Sequence, residues 1–404
     1  MSILQDALSP WRKKAHDQFL ALGFPKPKQE SFQYLPLSKL ESVWPKPAPH
    51  KTLSKEEIVQ AILPECRTSH LVFVDGYFEP ALSCIPPGLI CLPLDAALKS
   101  YGLFLQNRWA KSPAKDPFFL LNGAFQTVGA FLYVPPQTEL LTPLQILHVL
   151  TGTSLASPHL QVTLGANARL TLAQTISSPA HGFCNSVIDV ALEQESSLQL
   201  LDAQLLPASA WSFGALRATL KRGARLQAFH ATSGAETVRL SAHIELLEEN
   251  SSALLQGLSM LTGQRQSHLH AFVEHLAPNC QSRQHIKMAL AGQSRASFEG
   301  KIYVHAKAQK TEAYQLNNNL LLSDEATVYA KPNLEIFADD VKASHGATVA
   351  QLQEEELFYL RSRGLSPAVA RTLLLEGFCR ELIDGVDIAS LRNELLVQMR
   401  ALHG

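Results

Sequence analysis

The chain has 404 residues, of which 46% are hydrophobic and 18% charged, so it can bury a large core and is not a disordered protein. Its 35 basic and 36 acidic residues give a net charge of −1, which argues against the nucleic-acid-binding class and its usual excess of basic residues. No stretch reaches the roughly 18 apolar residues of a membrane span. The first residues lack the apolar core of a signal peptide, so we expect a cytoplasmic protein outside the membrane.

Sequence motifs exclude several functional classes. The six cysteines are scattered without a Cys-x-x-Cys pair, which excludes zinc-ribbon and thioredoxin-type motifs, and we expect most of them to be reduced and buried. No P-loop, GxGxxG, HExxH or Ser-His-Asp order occurs, so the chain carries no self-contained nucleotide site.

Residues 1–129 are predicted to form an N-terminal, helix-rich domain of mixed structure. Asp75-Gly76 stands between two β-rich runs and predicts the type I′ turn of a hairpin. In chain order, the predicted elements are a helix over 5–22, a helix opened by the capping box of Ser54 and Glu57, a hairpin over 71–78, a strand over 88–94 and a helix over 116–129. We find no catalytic constellation in this region.

One pattern recurs from about residue 130: an apolar residue, three turn-like residues, a small residue, any residue, and a final apolar one. The first four copies start 28, 28 and 27 residues apart, and the next gaps of 43 and 32 suggest an insertion. The copies start at Leu164, Leu192, Leu220, Leu247, Leu290 and Leu322. A unit this short cannot bury its own apolar face and must stack on its neighbours.

Two folds are compatible with stacked strand units, a parallel β-helix and an antiparallel sandwich. A long sandwich would show tight Asn-Gly or Asp-Gly turns, and residues 130–338 contain neither dipeptide. The near-constant period therefore favours a parallel β-helix over 130–338.

Residues 339–404 are predicted to form a small C-terminal helical domain. The middle helix, over 367–384, begins at the N-cap Ser366 with proline at its first position, and it carries two apolar rows. The rows are Ala370, Leu374, Phe378 and Leu382, and Leu375, Cys379 and Ile383. One row would serve packing between the helices. The second row indicates an outside partner, or docking on the end of the β-helix.

Two groups of residues could carry chemistry. The first is a group of five histidines with Cys280, which could bind a metal or could simply be a polar row on a strand; the histidines are His268, His270, His275, His285 and His305. The second lies over 339–345, where His345 follows Asp339 and Asp340 at a predicted strand-to-helix transition. Neutral imidazole is a ligand for iron, copper or zinc, although a lone histidine is more often structural. Asn317 to Asn319 suggest a polar ladder inside or beside the solenoid.

The chain resembles the SufB/SufD family of iron–sulfur cluster assembly proteins, and its SufD branch in particular. The resemblance rests on FEGKIYVHAKAQKTEAYQLNNNLLLSDEATVYAKPNLEIFADDVKASHGATVAQL over 298–352 and on LFYLRSRGLSPAVARTLLLEGFCREL over 357–382. Weaker matches are KPKQESFQYLPLSKL and DPFFLLNGAF near the N-terminus. The resemblance implies a right-handed parallel β-helix between an N-terminal helical region and a small C-terminal helical domain.

The resemblance also implies partners and site residues. A SufB-like subunit would pair through the β-helix, and a SufC-like ABC ATPase would bind the C-terminal helices. His345 would lie at the SufB interface and contact a transient iron or iron–sulfur cluster, with no cofactor bound stably. Sequences of the SufD type carry cysteine two residues before this histidine, where the present chain has Ala343. The implied ATPase-binding residues are Phe358, Tyr359, Leu360, Arg363, Leu374 and Phe378.

The leading hypothesis from the sequence is a non-catalytic scaffold subunit of a SufBCD-type complex. A homodimeric scaffold that acts without SufB differs from it only in the partner. A carbohydrate-active enzyme is the rival of another class, because β-helices often serve such enzymes. Those enzymes need clustered Asp, Glu, Lys or Arg on an exposed sheet and are mostly exported, whereas the repeat strands carry few acidic pairs and we find no signal peptide.

Overall fold

The computed structural model describes residues 6–27, 29–43, 45–110, 116–179 and 181–403. The helices are α1 (Ser9–Leu22), α2 (Leu37–Val43), α3 (Lys55–Ile58), α4 (Leu94–Ala110), α5 (Pro117–Phe125), α6 (Glu354–Ser362), α7 (Pro367–Ile383) and α8 (Ala389–Arg400). The first strands are β1 (His70–Val74), β2 (Tyr77–Phe78), β3 (Ile90–Pro93), β4 (Ala130–Val134), β5 (Leu144–Val149), β6 (Leu155–Ala156), β7 (His159–Leu164), β8 (Arg169–Ser177), β9 (Phe183–Leu192) and β10 (Ser197–Gln204). The remaining strands are β11 (Trp211–Leu220), β12 (Arg225–Thr232), β13 (Thr237–Leu246), β14 (Ser252–Leu261), β15 (Gln266–His275), β16 (Gln281–Leu290), β17 (Arg295–Val304), β18 (Thr311–Leu321), β19 (Thr327–Ile336) and β20 (Val341–Gln351).

The strands form two sheets, and successive strands alternate between them as a parallel β-solenoid of about 8 turns. Sheet I has the order β2-β1-β5-β8-β10-β12-β14-β16-β18-β20, and sheet II runs β19-β17-β15-β13-β11-β9-β7-β4-β3, with β6 beside β9. Pairing is parallel except between β1 and β2 and between β3 and β4. The predicted β-helix is confirmed, and the antiparallel sandwich is wrong.

In-register stacking of apolar side chains forms the core of the solenoid. Leu164, Leu192, Leu220 and Leu246 align across four coils, and each is buried. Burying a leucine side chain stabilises a fold by about 1.5–3 kcal/mol, so a column of this kind ties each coil to the next. The predicted repeat is therefore the repeat of one coil.

The corners explain the recurring motif. In several coils, one corner residue has a positive φ and the following residue is small and fully buried. The positive-φ residues at the corner after sheet II are Asn167, Glu195, Gly223, Asn250, Asn279 and Lys310, and the small residues after the first five are Ala168, Ser196, Ala224, Ser251 and Cys280. Asn and Gly adopt this conformation with little strain, and a small side chain lets successive corners stack closely.

The predicted insertion is wrong. The copies at Leu290 and Leu322 lie at the opposite corner, between sheet I and sheet II. The first corner continues without a break through Cys280, where cysteine serves as the small residue. Both corners need the same small buried residue, so the sequence pattern alone does not distinguish them.

The N-terminal third contributes strands as well as helices. Asp75 and Gly76 have φ of 49° and 91°, which confirms the predicted hairpin turn, and β1 continues sheet I by pairing with β5. The predicted helix over 5–22 is α1 from Ser9, and residue 5 lies outside the described residues. The helix predicted over 116–129 is the shorter α5, with Asp116 as its N-cap.

The C-terminal helices α7 and α8 pack on the outer face of sheet I. Leu375, Cys379 and Ile383 share one buried cluster with Phe229 and Leu258 of the sheet. The second apolar row of α7 is thus buried within the chain, on the side of the solenoid and not on its end. It does not require an outside partner.

A lysine of the solenoid anchors α7. Lys287 of β16 donates a 2.9 Å hydrogen bond to the carbonyl oxygen of Phe378, and its Nζ lies 4.7 Å from the centroid of that ring. Lys287 also pairs with Glu381. The hydrogen bond from the Lys287 ammonium holds the pKa of the Glu381 carboxyl below its ordinary value, although some burial of this carboxyl acts in the opposite direction.

The last strand extends the solenoid beyond the predicted boundary at 338. β20 continues to Gln351, and α6 begins at Glu354. Apolar and polar residues alternate only weakly along β20, because most of its side chains are exposed at the end of the stack. Among the described residues, no helix is long and apolar enough to span a membrane.

Substitution of two neighbouring leucines tests the packing of α7. Leu375 is fully buried and Leu373 is 48% exposed. We expect Leu375→Ala to lower the free energy of unfolding of the C-terminal helices by about 2–5 kcal/mol, because it leaves a cavity. The exposed Leu373→Ala should change it by less than about 0.5 kcal/mol. Urea titration followed by circular dichroism measures both, and equal effects would contradict the packing described above.

Candidate functional site

The open end of the solenoid is a free sheet edge. β19 and β20 are the terminal strands of their sheets, and within the described residues no strand pairs with their outer edges. Phe337 and Val349 are 58% and 54% exposed there. Unpaired backbone groups beside exposed apolar side chains can accept a strand from another chain.

His345 lies in the middle of β20 and is exposed. Its register partner in β18 is Gln315. The sequence predicted a strand-to-helix transition here, but the residue stands within an edge strand. Ala343 lies two residues earlier, so its side chain shares a face with the imidazole, and it packs partly against the cluster around Ile302.

The backbone beside His345 faces outward from the sheet. The backbone N–H of Lys310 donates to the carbonyl oxygen of Asp340, and the side-chain amide of Asn319 donates to the carbonyl oxygen of Thr348. The backbone groups of the even-numbered residues of β20 therefore face β18. Backbone N–H and C=O groups alternate in direction along a strand. The odd-numbered residues, including Ala343 and His345, therefore direct these groups to the free edge.

The interior of the solenoid becomes polar toward this end. One inward column changes from Leu255 to Gln284 and Gln315, and His345 completes it at the open end. The amide nitrogen of Gln315 donates to Gln284 Oε1 at 2.8 Å, whereas Gln315 Oε1 and Gln284 Nε2 have no hydrogen-bond partner among the described residues. Gly300 faces this column, where an added Cβ would lie 2.1 Å from Gln315 Nε2.

The predicted asparagine ladder occupies both faces of β18. Asn317 and Asn319 are buried and exchange amide hydrogen bonds of 3.2 and 2.8 Å, and Asn319 also bonds β20. Asn318 points outward and donates to Thr348 Oγ1 at 3.0 Å. Asn318 and Asn319 tie the last strand to the stack, because each side of β18 contributes one side-chain bond to Thr348 of β20.

The predicted partner-binding residues of the C-terminal helices fall into two groups. Phe358 and Tyr359 are 72% and 57% exposed on α6, and the guanidinium of Arg363, also exposed, lies 5.3 Å from the Tyr359 ring centroid. Leu360, Leu374 and Phe378 are half-buried, and Phe378 contacts Lys287 of the solenoid.

Two further exposed apolar residues were missed from the sequence. Val369 and Leu373 lie on α7, 51% and 48% exposed. Their spacing of four residues places them on one helix face, beside the buried row. That spacing is the signal that could have identified them.

The predicted histidine group does not converge on one site. His268 and His270 share the outer face of sheet II, as expected, and burial lowers the pKa of His268 to about 3 and that of His270 to about 4. His275 is buried at a corner, and burial lowers its pKa to about 4. His285 is near Glu381 on sheet I, whereas His305 bonds Glu274 on sheet II. Cys280 is a corner residue in contact with Ser251.

These features define the class of the protein: a parallel β-solenoid with a free sheet edge at one end and a small helical domain docked on one face. The protein-family model of the SufBD core domain, described as SUF system FeS cluster assembly, matches residues 148–378. The model of the SufBD N-terminal region matches residues 3–146. The chain therefore belongs to the SufB/SufD family of iron–sulfur cluster assembly proteins.

Individual relatives cover nearly the whole chain. An iron–sulfur cluster assembly SufBD family protein of Synechocystis sp. is 30% identical over 401 residues, covering 95% of this chain and 88% of the relative. The iron–sulfur cluster assembly protein SufD of Escherichia coli is 27% identical over 402 residues, covering 97% of this chain and 92% of the relative. The chain is thus similar to SufD along nearly its full length.

A glycine substitution tests the polar interior at the open end. We expect Gly300→Ala to lower the free energy of unfolding by about 1–3 kcal/mol, because its Cβ overlaps the amide of Gln315. The double variant Gly300→Ala, Gln315→Ala should recover only part of this loss, because the added Cβ would also lie 2.4 Å from Phe298 Cζ, a contact that Gln315→Ala leaves in place. Gly346→Ala is the control, since its Cβ would meet only Leu316 at 3.6 Å. Chemical denaturation of these three variants and of Gln315→Ala alone measures the effect, and losses in the double variant that equal the sum of the two single losses would contradict the contact.

Proposed function

We propose that this chain is a non-catalytic, SufD-like scaffold subunit of a SufBCD-type complex for iron–sulfur cluster assembly. The observation that carries the proposal is the free edge of β20 with the exposed His345, in a chain that belongs to the SufB/SufD family. Family membership favours this function over the carbohydrate-active alternative. ATP binding and hydrolysis would take place on the ATPase partner.

The pairing strand of the proposed interface is β20. Thr327 and Phe337 donate to Ser294 and Val304 of the preceding coil, so odd-numbered residues of β19 face β17 and even-numbered ones face the free edge. Pro332 is even-numbered and lacks a backbone N–H, which interrupts a ladder on that edge. β20 contains no proline, so it can extend its sheet with a strand of a SufB-like subunit or of a second copy.

His345 would contribute one ligand or hydrogen bond to a transient iron or iron–sulfur species carried as cargo at this interface. An imidazole at the edge can reach a group held between two chains, and it is a common ligand for iron. Thiolates are the usual cluster ligands, and Ala343 supplies none on the same face. The remaining ligands would therefore come from the partner subunit.

The ATPase partner would bind the exposed surface of α6 and α7. Phe358 and Tyr359 supply aromatic side chains and Arg363 a guanidinium, the residue types that dominate interface energetics. Leu360, Leu374 and Phe378 would support this surface from beneath. Because Phe378 also packs on Lys287, it is less suitable than Phe358 for a test of partner binding.

The role of His345 predicts a loss of cluster formation without loss of assembly. We expect His345→Ala to leave folding and the complex with SufB-like and SufC-like partners intact and to lower the yield of cluster. Ser344→Ala is the matched control, because its side chain lies on the opposite face of the same strand. Reconstitution followed by absorption spectroscopy measures the yield, and a wild-type yield from His345→Ala would refute the assignment.

The ATPase surface predicts a selective loss of binding. We expect Phe358→Asp to weaken binding of a SufC-like ATPase by about tenfold or more, since an interface hot spot contributes about 2 kcal/mol or more. Leu141→Asp serves as the control, because Leu141 is 87% exposed and lies far from α6 and α7 in the sequence. A pull-down with titrated ATPase compares the two variants. Equal retention of the ATPase would oppose this surface.

Two measurements separate the remaining alternatives. Native mass spectrometry with and without a SufB-like subunit distinguishes a heterodimer from a homodimeric scaffold. Release of sugar from polysaccharide substrates would favour the carbohydrate-active alternative and oppose the scaffold.

A further inference from the structure

Three potential metal ligands converge on the outer face of sheet II, away from the β20 edge. His243 and Glu245 lie two residues apart on β13, and Glu274 lies on the next coil, in β15. One ligand atom from each residue lies within 4.8 Å of the other two. Each of the three residues is half-buried.

Two carboxylates stand directly opposite each other in this group. Glu245 and Glu274 are register partners, and in-register parallel strands lie about 4.8 Å apart. Like charges opposite each other destabilise a sheet. Within the described residues, neither carboxylate has a lysine or arginine within 4.0 Å, and Lys301 on the same face pairs instead with Glu335. A bound cation would remove this repulsion.

The third ligand atom has no hydrogen bond. His243 Nε2 is buried from solvent, and no partner satisfies it among the described residues; Glu274 Oε2 is 3.7 Å away. The imidazole stacks on Phe272, with 4.9 Å between ring centroids and 25° between planes. Packing therefore holds the ring in place, with a nitrogen that makes no hydrogen bond beside the two carboxylates.

A second histidine fixes the central carboxylate. His305 Nε2 lies 2.7 Å from Glu274 Oε1, and the His305 ring packs edge-on against Tyr303. This contact leaves Glu274 Oε2 directed toward His243.

We propose that His243 Nε2, Glu245 and Glu274 form a binding site for a divalent first-row transition metal such as Zn²⁺, with His305 as a positioning residue for Glu274. One imidazole nitrogen and two carboxylates match the ligand preference of such ions. A histidine that bonds a ligating carboxylate is a usual outer partner in such sites. The site is separate from His345 and does not depend on the proposed scaffold function.

A cobalt titration tests the site. The protein is the full-length, tag-free chain carrying His345→Ala, which removes the exposed imidazole proposed above as an iron ligand, and it is stripped of metal before use. We expect Co²⁺ to give visible absorption bands that saturate at one ion per chain and that Zn²⁺ displaces. His243→Gln and Glu245→Gln should each weaken Co²⁺ binding by about tenfold or more, and His305→Gln by about tenfold through the outer partner.

Glu335→Gln is the matched control, because Glu335 lies in the same side-chain column as Glu245 and Glu274 but pairs with Lys301. It should bind Co²⁺ like the parent chain. Thermal melting checks that each variant folds. If His243→Gln unfolds, Glu245→Gln still tests the site, because Glu245 is half-buried and makes no hydrogen bond to the described residues. Equal affinities of Glu245→Gln and Glu335→Gln, or no protein-dependent absorption, would overturn the proposal.

Discussion

The structure depends on in-register stacking of its coils. Each side chain stands on the equivalent side chain of the preceding coil, so a shift of one residue would move a buried column to the surface. Positive-φ corner residues fix this register, because the chain turns from one sheet to the other with the same corner geometry in successive coils. The small residues that follow, such as Ala168 and Ala224, are fully buried and allow the corners to stack. The rest of the molecule is arranged on the surfaces that this stack presents.

The stack does not end in an apolar layer. Its inner column changes from leucine to Gln284, Gln315 and finally His345 as it approaches β20. Buried amides with missing partners cost free energy that leucines would not, so the polar end is less favourable for the isolated chain. An end of this kind is suited to completion by another chain, which is consistent with the scaffold proposed for a member of the SufB/SufD family.

The sequence predicted the repeating part of the fold better than its ends. The coil period and the Asp75-Gly76 turn arise from local rules and were confirmed. The corner switch at Leu290 could not be recognised, because both corners use the same turn chemistry. β20 could not be recognised as a strand from its pattern, since an edge strand at the end of a stack lacks the apolar alternation of a buried one.

Site prediction from the sequence was limited by the same geometry. Histidines close in the sequence were assigned to one group, although strands alternate between sheets and place His285 and His305 on different faces. The His243 group was missed because Glu274 joins it from the next coil, 29 residues beyond its partner Glu245. In a solenoid, residues one period apart are neighbours, so a search at that spacing is the one suited to such sites.

The two proposed interaction surfaces are joined by one column of outward side chains on sheet I. Lys287, which holds α7 through Glu381 and Phe378, stands in register with Asn318 of β18 and Thr348 of β20. Asn318 bonds Thr348, three residues from His345. A displacement of α7 would therefore act on β16 and reach the edge strand through directly bonded neighbours. A contiguous path of this kind is one physical route by which motion at the proposed ATPase surface could reach the proposed partner edge.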